Sequence, residues 1–487
     1  MTDNEKIQQK YDAALKGLKK NTRTLHHFEQ PVLIEGGIYP GIWLECGPLE
    51  STIYGMYEPD IALASHRIFF KHQREDGYFH TTVFKDRLLA PGQIQMVVPI
   101  AATALETALQ TNDEGFIHEA YHSCRRWDEW LSRHRNTRGT GLCELFCAWD
   151  TGHDHSPRLK GIPHDCPERD ARICNREAAL PYLAPDLSAS VYGGRLALAE
   201  MALLLNRKNE ADMWREKAEE IRKAILAYCF DPEDLFFYDL DNNNRFVRVK
   251  GDVLTRVLGE HVVDRNLFDE IFETHILNAD EFWTPYPLPS IAANDTAFDG
   301  NFRHNAWAGA SQALTALRAP RWFEYYQKPA HLVHLMKTWV KSLTENSGFK
   351  QQINPWTGES FESEGYSPAM CVLLEFVSRL YGIRYENDTV IWNCTFSDHI
   401  SKYSYSIETP KGTAKMDKDN NMATLTLAGK VILKVNKTCR IITDRQGGIM
   451  KIIGTSMDEE NLDLFFFDRH HMAFTIKPNE EKEISRL

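Results

Sequence analysis

Ten consecutive residues, Trp149-Asp150-Thr151-Gly152-His153-Asp154-His155-Ser156-Pro157-Arg158, hold two acids four positions apart beside a tryptophan, two histidines and an arginine. Splitting a glycosidic bond needs such parts: a carboxylic acid to protonate the leaving oxygen, and an aromatic face on which a sugar ring stacks. An Asp-rich loop also serves as a cluster of turns and caps, so composition alone leaves both readings open. Cysteines and histidines crowd this stretch at Cys143, Cys147, His153, His155, His164 and Cys166. That set can hold Zn²⁺ in principle, but its spacing matches no standard zinc module, so no metal and no cofactor are expected. Sugars stack on aromatic rings and bond to polar neighbours. On that ground the candidate sugar-contacting residues are Trp43, Glu45, Trp149, Arg158, Asn305, Trp307 and Trp356.

The elements that must position these residues are mostly helical. From about residue 50 to 383 apolar residues recur at the helix period, with runs near 93–112, 114–135, 305–320, 329–346 and 366–382. The clearest hairpin runs from Asp186 to Leu205 and turns at Asn206-Arg207-Lys208-Asn209. It returns with Ala211, Trp214, Ala218, Ile221 and Ile225 on one stripe. Long loops rich in aromatics, glycine and acids separate the helices, which suggests a repeated helix-pair unit with its loops gathered on one face. After about Arg384 the period becomes two. Thr389–Phe396, Tyr403–Thr409, Ala423–Leu427, Val431–Val435, Arg440–Thr443, Met450–Ile453 and Leu462–Phe467 read as strands, with turns at Asp419-Asn420-Asn421, Ala428-Gly429 and Gln446-Gly447-Gly448.

The chain has 487 residues, with 56 Lys+Arg against 68 Asp+Glu, a formal charge of −12. That balance, without a basic patch, argues against a nucleic-acid partner. No uninterrupted apolar run reaches membrane-spanning length, and the polar start at Met1-Thr2-Asp3-Asn4 reads as no secretory signal. Ten cysteines are too sparse for a disulfide scaffold, so a cytoplasmic protein is expected.

The Trp149–Arg158 run resembles the Trp-Glu-Ser-Gly-Met-Asp-Asn-Ser-Pro-Arg signature of glycoside hydrolase family 63 and its mannosylglycerate-hydrolase-like relatives. More distantly it is similar to the Ser-Gly-Trp-Asp-Phe-Ser-Ser-Arg-Trp signature of trehalases. Four more segments resemble the same family in the same order. They are Trp127-Asp128-Glu129-Trp130-Leu131 with Gly139-Thr140-Gly141-Leu142, and Pro185-Asp186-Leu187-Ser188-Ala189. Next come Pro287-Leu288-Pro289-Ser290 with Asn305-Ala306-Trp307-Ala308-Gly309, and lastly Asn354-Pro355-Trp356-Thr357-Gly358-Glu359.

The resemblance implies an all-α (α/α)6 toroid over residues 1–384, a small C-terminal β-sandwich over 385–487, and inverting hydrolysis of a small glycoside or oligosaccharide. It gives Asp154 the general-acid role and adds Asp150, His155, Gln351, Gln352 and Tyr366 to the candidate sugar-contacting residues. The family's base is a glutamate at the position held here by Gln351, and an amide cannot accept a proton at neutral pH. Three readings compete. Another acid activates water, with Glu364 favoured from its likeness to a trehalase stretch; or Gln351 or Gln352 holds a nucleophile or substrate group in a different reaction; or the position carries an inactivating replacement. The rivals to hydrolysis are therefore a lyase, epimerase or phosphorylase on the same fold, and a carbohydrate-binding protein without turnover.

Overall fold

The computed structural model describes residues 1–304, 306–386, 388–397, 400–467 and 471–484. Among them are twelve α-helices: α1 (Glu5–Lys20), α2 (Gly47–Tyr54), α3 (Pro59–Lys71), α4 (Ile100–Thr111), α5 (Glu114–His134), α6 (Pro185–Leu204), α7 (Lys208–Tyr228), α8 (Val253–Gly259), α9 (Arg265–Ile271), α10 (Ala313–Tyr325), α11 (Pro329–Glu345) and α12 (Ser367–Tyr381). None is long and apolar enough to cross a membrane. The chain divides into two compact units. One comprises Gly17–Trp322 and Gly348–Cys371; the other comprises Met1–Lys16, Phe323–Ser347 and Val372–Leu487.

In the first unit the hairpins follow from local signals. Asn112 ends α4 in the left-handed conformation (φ 52°), and the Asp113 carboxylate then caps α5 by accepting from the Phe116 N–H at 3.0 Å. The α6–α7 pair shows how patterning selects depth. Helix α6, rich in Ala and Leu, is buried on nearly all sides, whereas α7 buries only the stripe Ala211, Trp214, Ala218, Ile221 and Ile225 and turns its charges to water. The run expected as a helix over 93–112 starts only at Ile100, because two residues bar its extension backwards. Pro99 disfavours helical backbone at Val98, and Gln95 takes a positive φ of 39°, off the helical path.

The expectation of an all-α fold is corrected. Short strand pairs lie within the long loops of the helical region, as in Glu144–Leu145 against Tyr182–Leu183 and Gln352–Ile353 between Ser311–Gln312 and Ser360–Phe361. Loops of this length bury backbone, and paired N–H and C=O groups remove the cost of doing so.

The second unit holds two antiparallel sheets. Five strands pair in the order Ile383–Glu386, Thr389–Cys394, Cys439–Asp444, Ile449–Gly454, Glu481–Glu483. Six pair in the order Tyr403–Thr409, Gly412–Lys418, Ala423–Leu427, Lys430–Val435, Glu460–Phe466, His471–Ile476. Cys394 Sγ meets Met416 Sδ at 3.7 Å, joining a strand of each sheet. Ala428 and Gly429 both take positive φ (48° and 77°), the conformation a tight two-residue hairpin requires. In the same unit Glu324 binds Arg440 at 2.6 Å and Arg379 at 3.3 Å.

Candidate active site

The long loop between α5 and α6 carries the acid-rich run, and a buried scaffold fixes its shape. Asp150 is fully buried and accepts from the N–H groups of Ile94 (2.8 Å), Phe146 (2.8 Å) and Cys147 (3.1 Å), while Arg135 reaches both its oxygens. Every acceptor direction is in use, so the substrate contact expected of Asp150 is corrected to a loop-positioning role. The same correction applies to Arg158. Its terminal nitrogens bind Asp239 (2.8 and 2.7 Å) and Asp186 (2.6 Å) below the surface, so three of its five N–H donors hold the loop.

Between these anchors the chain turns through Gly152 (φ +63°), and a Cβ there would fall 1.6 Å from Glu45 Oε2. Only glycine lets the Glu45 carboxylate reach this loop. His153 then turns inward, its Nε2 3.0 Å from Asp252 and its ring 4.7 Å from that of Trp307. Burial pushes the imidazole down to about 3, so it stands neutral.

Asp252 collects Thr255, Thr315 (2.8 Å), Arg256 (3.1 Å) and Arg318 (2.6 Å) as well. Burial alone would raise its carboxyl, but Arg318 and the other partners hold it well below the usual range. The Arg256 guanidinium lies 5.4 Å over Trp307. Sequence reasoning missed Asp252, Arg256 and Arg318. They sit far along the chain from His153, and nothing in their spacing marks them as its partners.

Asp154 comes next and keeps part of its surface open. Burial raises its pKa above the ordinary carboxylate value, and His155 and His164 partly oppose that rise. Glu45, also partly open, accepts from Gln95 at 3.2 Å, and burial followed by the charge of Asp154 pushes it up to about 8. Burial and the neighbouring Glu45 and Glu50 raise Glu35 well above its usual value, and Asp154 adds to this. Asp154, Glu45 and Glu35 thus share one electrostatic neighbourhood. Glu35 and Gln95 were not foreseen, since neither belongs to a recognisable run.

Aromatic side chains stand close by. Trp43, half-buried, packs edge-on to Tyr39 (5.6 Å) and Phe84 (5.5 Å) and against the cluster of Cys46, Trp307 and Leu314. Trp149 stacks on His164 at 5.1 Å, and His155 is exposed 5.6 Å from His164. Gln351 is buried and its Oε1 accepts from the Tyr39 hydroxyl at 3.2 Å.

Several expectations fare differently. Gln352 gives its amide N–H groups to the carbonyls of Phe302 (2.8 Å) and His304 (3.3 Å), and its oxygen accepts from the Gln312 amide (2.7 Å), so its assigned sugar contact is corrected to a structural one. Tyr366 is fully buried beside Glu35 and closes the wall rather than lining it. Trp356 is exposed against Phe298, 5.5 Å away. Glu364 is exposed and lies against Gly348. Asn305 lies outside the described residues.

Among the described residues, two groups of side chains bring metal-binding atoms within 4.8 Å of one another: Cys147, Asp150 and Cys166, and Glu35, Glu45 and Cys46. The wider Cys/His set considered above does not assemble, because His153 is bound to Asp252 and His155 faces solvent.

Residues 52–367 match the mannosylglycerate hydrolase MGH1-like glycoside hydrolase domain. Among solved structures, the family 63 mannosylglycerate hydrolase of Thermus thermophilus, in complex with Tris, is similar over 76% of this chain and 100% of its own. Its TM-score is 0.65 at 17% identity. The neutral trehalase of Saccharomyces cerevisiae gives a TM-score of 0.56 at 14% identity over 74% of this chain and 80% of its own. At such identities the likeness is one of fold. An uncharacterised protein of Borreliella burgdorferi is 24% identical over 127 residues; the match spans 25% of this chain and 26% of that protein's length.

Proposed function

Because this chain belongs to the mannosylglycerate hydrolase MGH1-like glycoside hydrolases and is therefore a glycosidase, we propose that it hydrolyses a small glycoside or oligosaccharide with inversion, Asp154 protonating the leaving oxygen. The observation that carries this reading is the environment of Asp154. It is the acid at the signature position, partly open, raised in pKa by burial, and it shares its surroundings with His155 and with His164, on which Trp149 stacks. A raised carboxyl keeps its proton toward neutral pH, as a general acid must.

Inversion also needs a water activated about 6.5–9.5 Å across from the acid. Glu364, expected for that task, is exposed beside Gly348, whereas Glu45 and Glu35 share the field of Asp154. We therefore assign water activation to the Glu35–Glu45 side of the pocket, where Glu45, pushed up to about 8, acts as the base only in its ionised form. A second reading, transfer to phosphate, is favoured by one observation: the position given to the base holds the Gln351 amide, already engaged with Tyr39.

The fold likenesses support closure of the helix pairs into an (α/α)6 toroid, with a β-sandwich from about residue 385. The ten cysteines, all free thiols, support a reducing, cytoplasmic setting.

The test is anomeric-proton NMR with mannosyl- and glucosyl-glycerate, trehalose and related disaccharides, with and without phosphate. Asp154→Asn should lower turnover about 10²–10⁴-fold, the range for a lost general acid. In the parent, activity should persist above the ordinary carboxylate range and fall as pH rises through the raised Asp154 pKa. Equal turnover by the mutant removes Asp154 from the chemistry, and phosphate-dependent cleavage selects the second reading.

A further inference from the structure

The two acid-and-thiol clusters contain the same kinds of donor atom at the same closeness, yet only one has its positive charge. In the cluster of Cys147, Asp150 and Cys166 the cation is already there: the Arg135 guanidinium bonds both Asp150 oxygens and approaches Cys166 Sγ at 3.7 Å. A metal ion would have to displace it.

In the other cluster, Glu35 and Cys46 are buried and Glu45 nearly so, each bringing one donor to within 4.8 Å of the others. Glu50, in the first turn of α2, has 0% exposure and lies beside the Cys46 thiol, a weak donor. Apart from that thiol, neither of its carboxylate oxygens has a hydrogen-bond partner. Among the described residues no lysine or arginine forms an ion pair with Glu35, Glu45 or Glu50. Arg256 and Arg318 act on Glu45 only through space, being committed to Asp252. A buried carboxylate with no strong donor and no counter-charge is costly, and either protons or a cation must offset it.

We propose that Glu35, Glu45 and Cys46, with Glu50 as the fourth donor, bind one divalent transition-metal ion of the Zn²⁺ class. One thiolate with three carboxylates suits a four-coordinate, borderline-soft ion. Mg²⁺ and Ca²⁺ take oxygen donors in six or more positions and have no use for sulfur. Binding converts the Cys46 thiol to a thiolate, and its proton, with any carried by the glutamates, leaves to solvent. The bound ion would fix the charge and position of Glu45 beside Asp154, on the side of the pocket assigned above to water activation. The binding itself does not depend on that assignment and is read without substrate.

The full chain, stripped with a chelator and dialysed, is titrated with Zn²⁺ against a chromophoric competitor, with Mg²⁺ and Ca²⁺ in parallel. The expected result is one Zn²⁺ per chain, no competition by Mg²⁺ or Ca²⁺, and a Zn–S distance of about 2.3 Å by X-ray absorption. Cys46→Ser and Glu35→Gln should weaken binding at least tenfold, while Cys166→Ala leaves it unchanged. Absence of Zn²⁺ binding, or equal binding by Glu35→Gln and the parent, overturns the proposal. Should the variants not fold, Co²⁺ in the parent decides: a thiolate-to-metal charge-transfer band in the near ultraviolet supports the site, and its absence overturns it. Hydrolysis is assayed separately, so a protein that binds Zn²⁺ but cleaves nothing sinks the hydrolytic reading alone.

Discussion

Asp150 and Glu50 are both carboxylates with 0% exposure near the same pocket, and they solve burial in opposite ways. Asp150 gathers three backbone N–H groups and an arginine, whereas neither oxygen of Glu50 has a partner stronger than a thiol. The first arrangement is a finished structural joint. It ties the start of the acid loop to the end of α5, so that Gly152, His153 and Asp154 emerge at fixed angles. The second is unfinished by protein atoms alone, and it adjoins the carboxylates that face Asp154. Compensation therefore marks scaffold, and its lack marks the place where a proton or the proposed ion must offset the charge.

Removing the cation from the finished cluster should have the largest effect. Arg135→Met leaves Asp150 charged, buried and short of its counter-charge, and should cost about 3–5 kcal/mol in chemical denaturation. A loss below about 1 kcal/mol would break the comparison, because the pair would then be no joint at all.

Glu324 extends the test to the other unit. Burial alone would raise its pKa, but Arg440 and then Arg379 outweigh burial and hold it at about 2, against an ordinary value of 4.5. A carboxylate depressed in the folded state stabilises fully above about pH 4.5, and that stabilisation is lost as pH falls toward 2. That depression corresponds to roughly 3 kcal/mol. Acid unfolding of the parent should show this loss, and Arg440→Met should flatten it. An unchanged acid limb would show that Glu324 is not the group responsible.

The smallest expected effect sharpens the contrast most. In chelator-treated protein, Glu50→Gln disturbs at most a weak thiol contact and should alter stability by less than about 1 kcal/mol. A loss comparable to that of Arg135→Met would mean that Glu50 is compensated after all.

Much of the architecture was legible from residue patterns. The return stripe of α7 is buried at all five positions read for it, and Tyr403–Thr409 and Ala423–Leu427 form at the limits expected. The strand Gly412–Lys418 was missed because Lys418 occupies an inward position, its ammonium held by the Ile400 carbonyl at 2.8 Å. A charged residue there breaks the alternation on which strand recognition depends. At the site, the Trp149–Arg158 run identified the acid loop and its glycine, since a local motif keeps its chemistry in consecutive residues.

What the sequence by itself determined was therefore periodicity, turn positions and the residue types that one loop brings together. Which acids are spent on structure and which stay open was decided only by tertiary structure. Asp150 and Asp154 differ by four positions and look alike in the chain, but three backbone N–H groups and Arg135 converge on one and not on the other. Glu35, Glu45 and Asp252 join Asp154 from about 100 to 120 residues away in the chain. The field at a carboxyl depends on distance and burial in space, and neither is encoded in sequence separation.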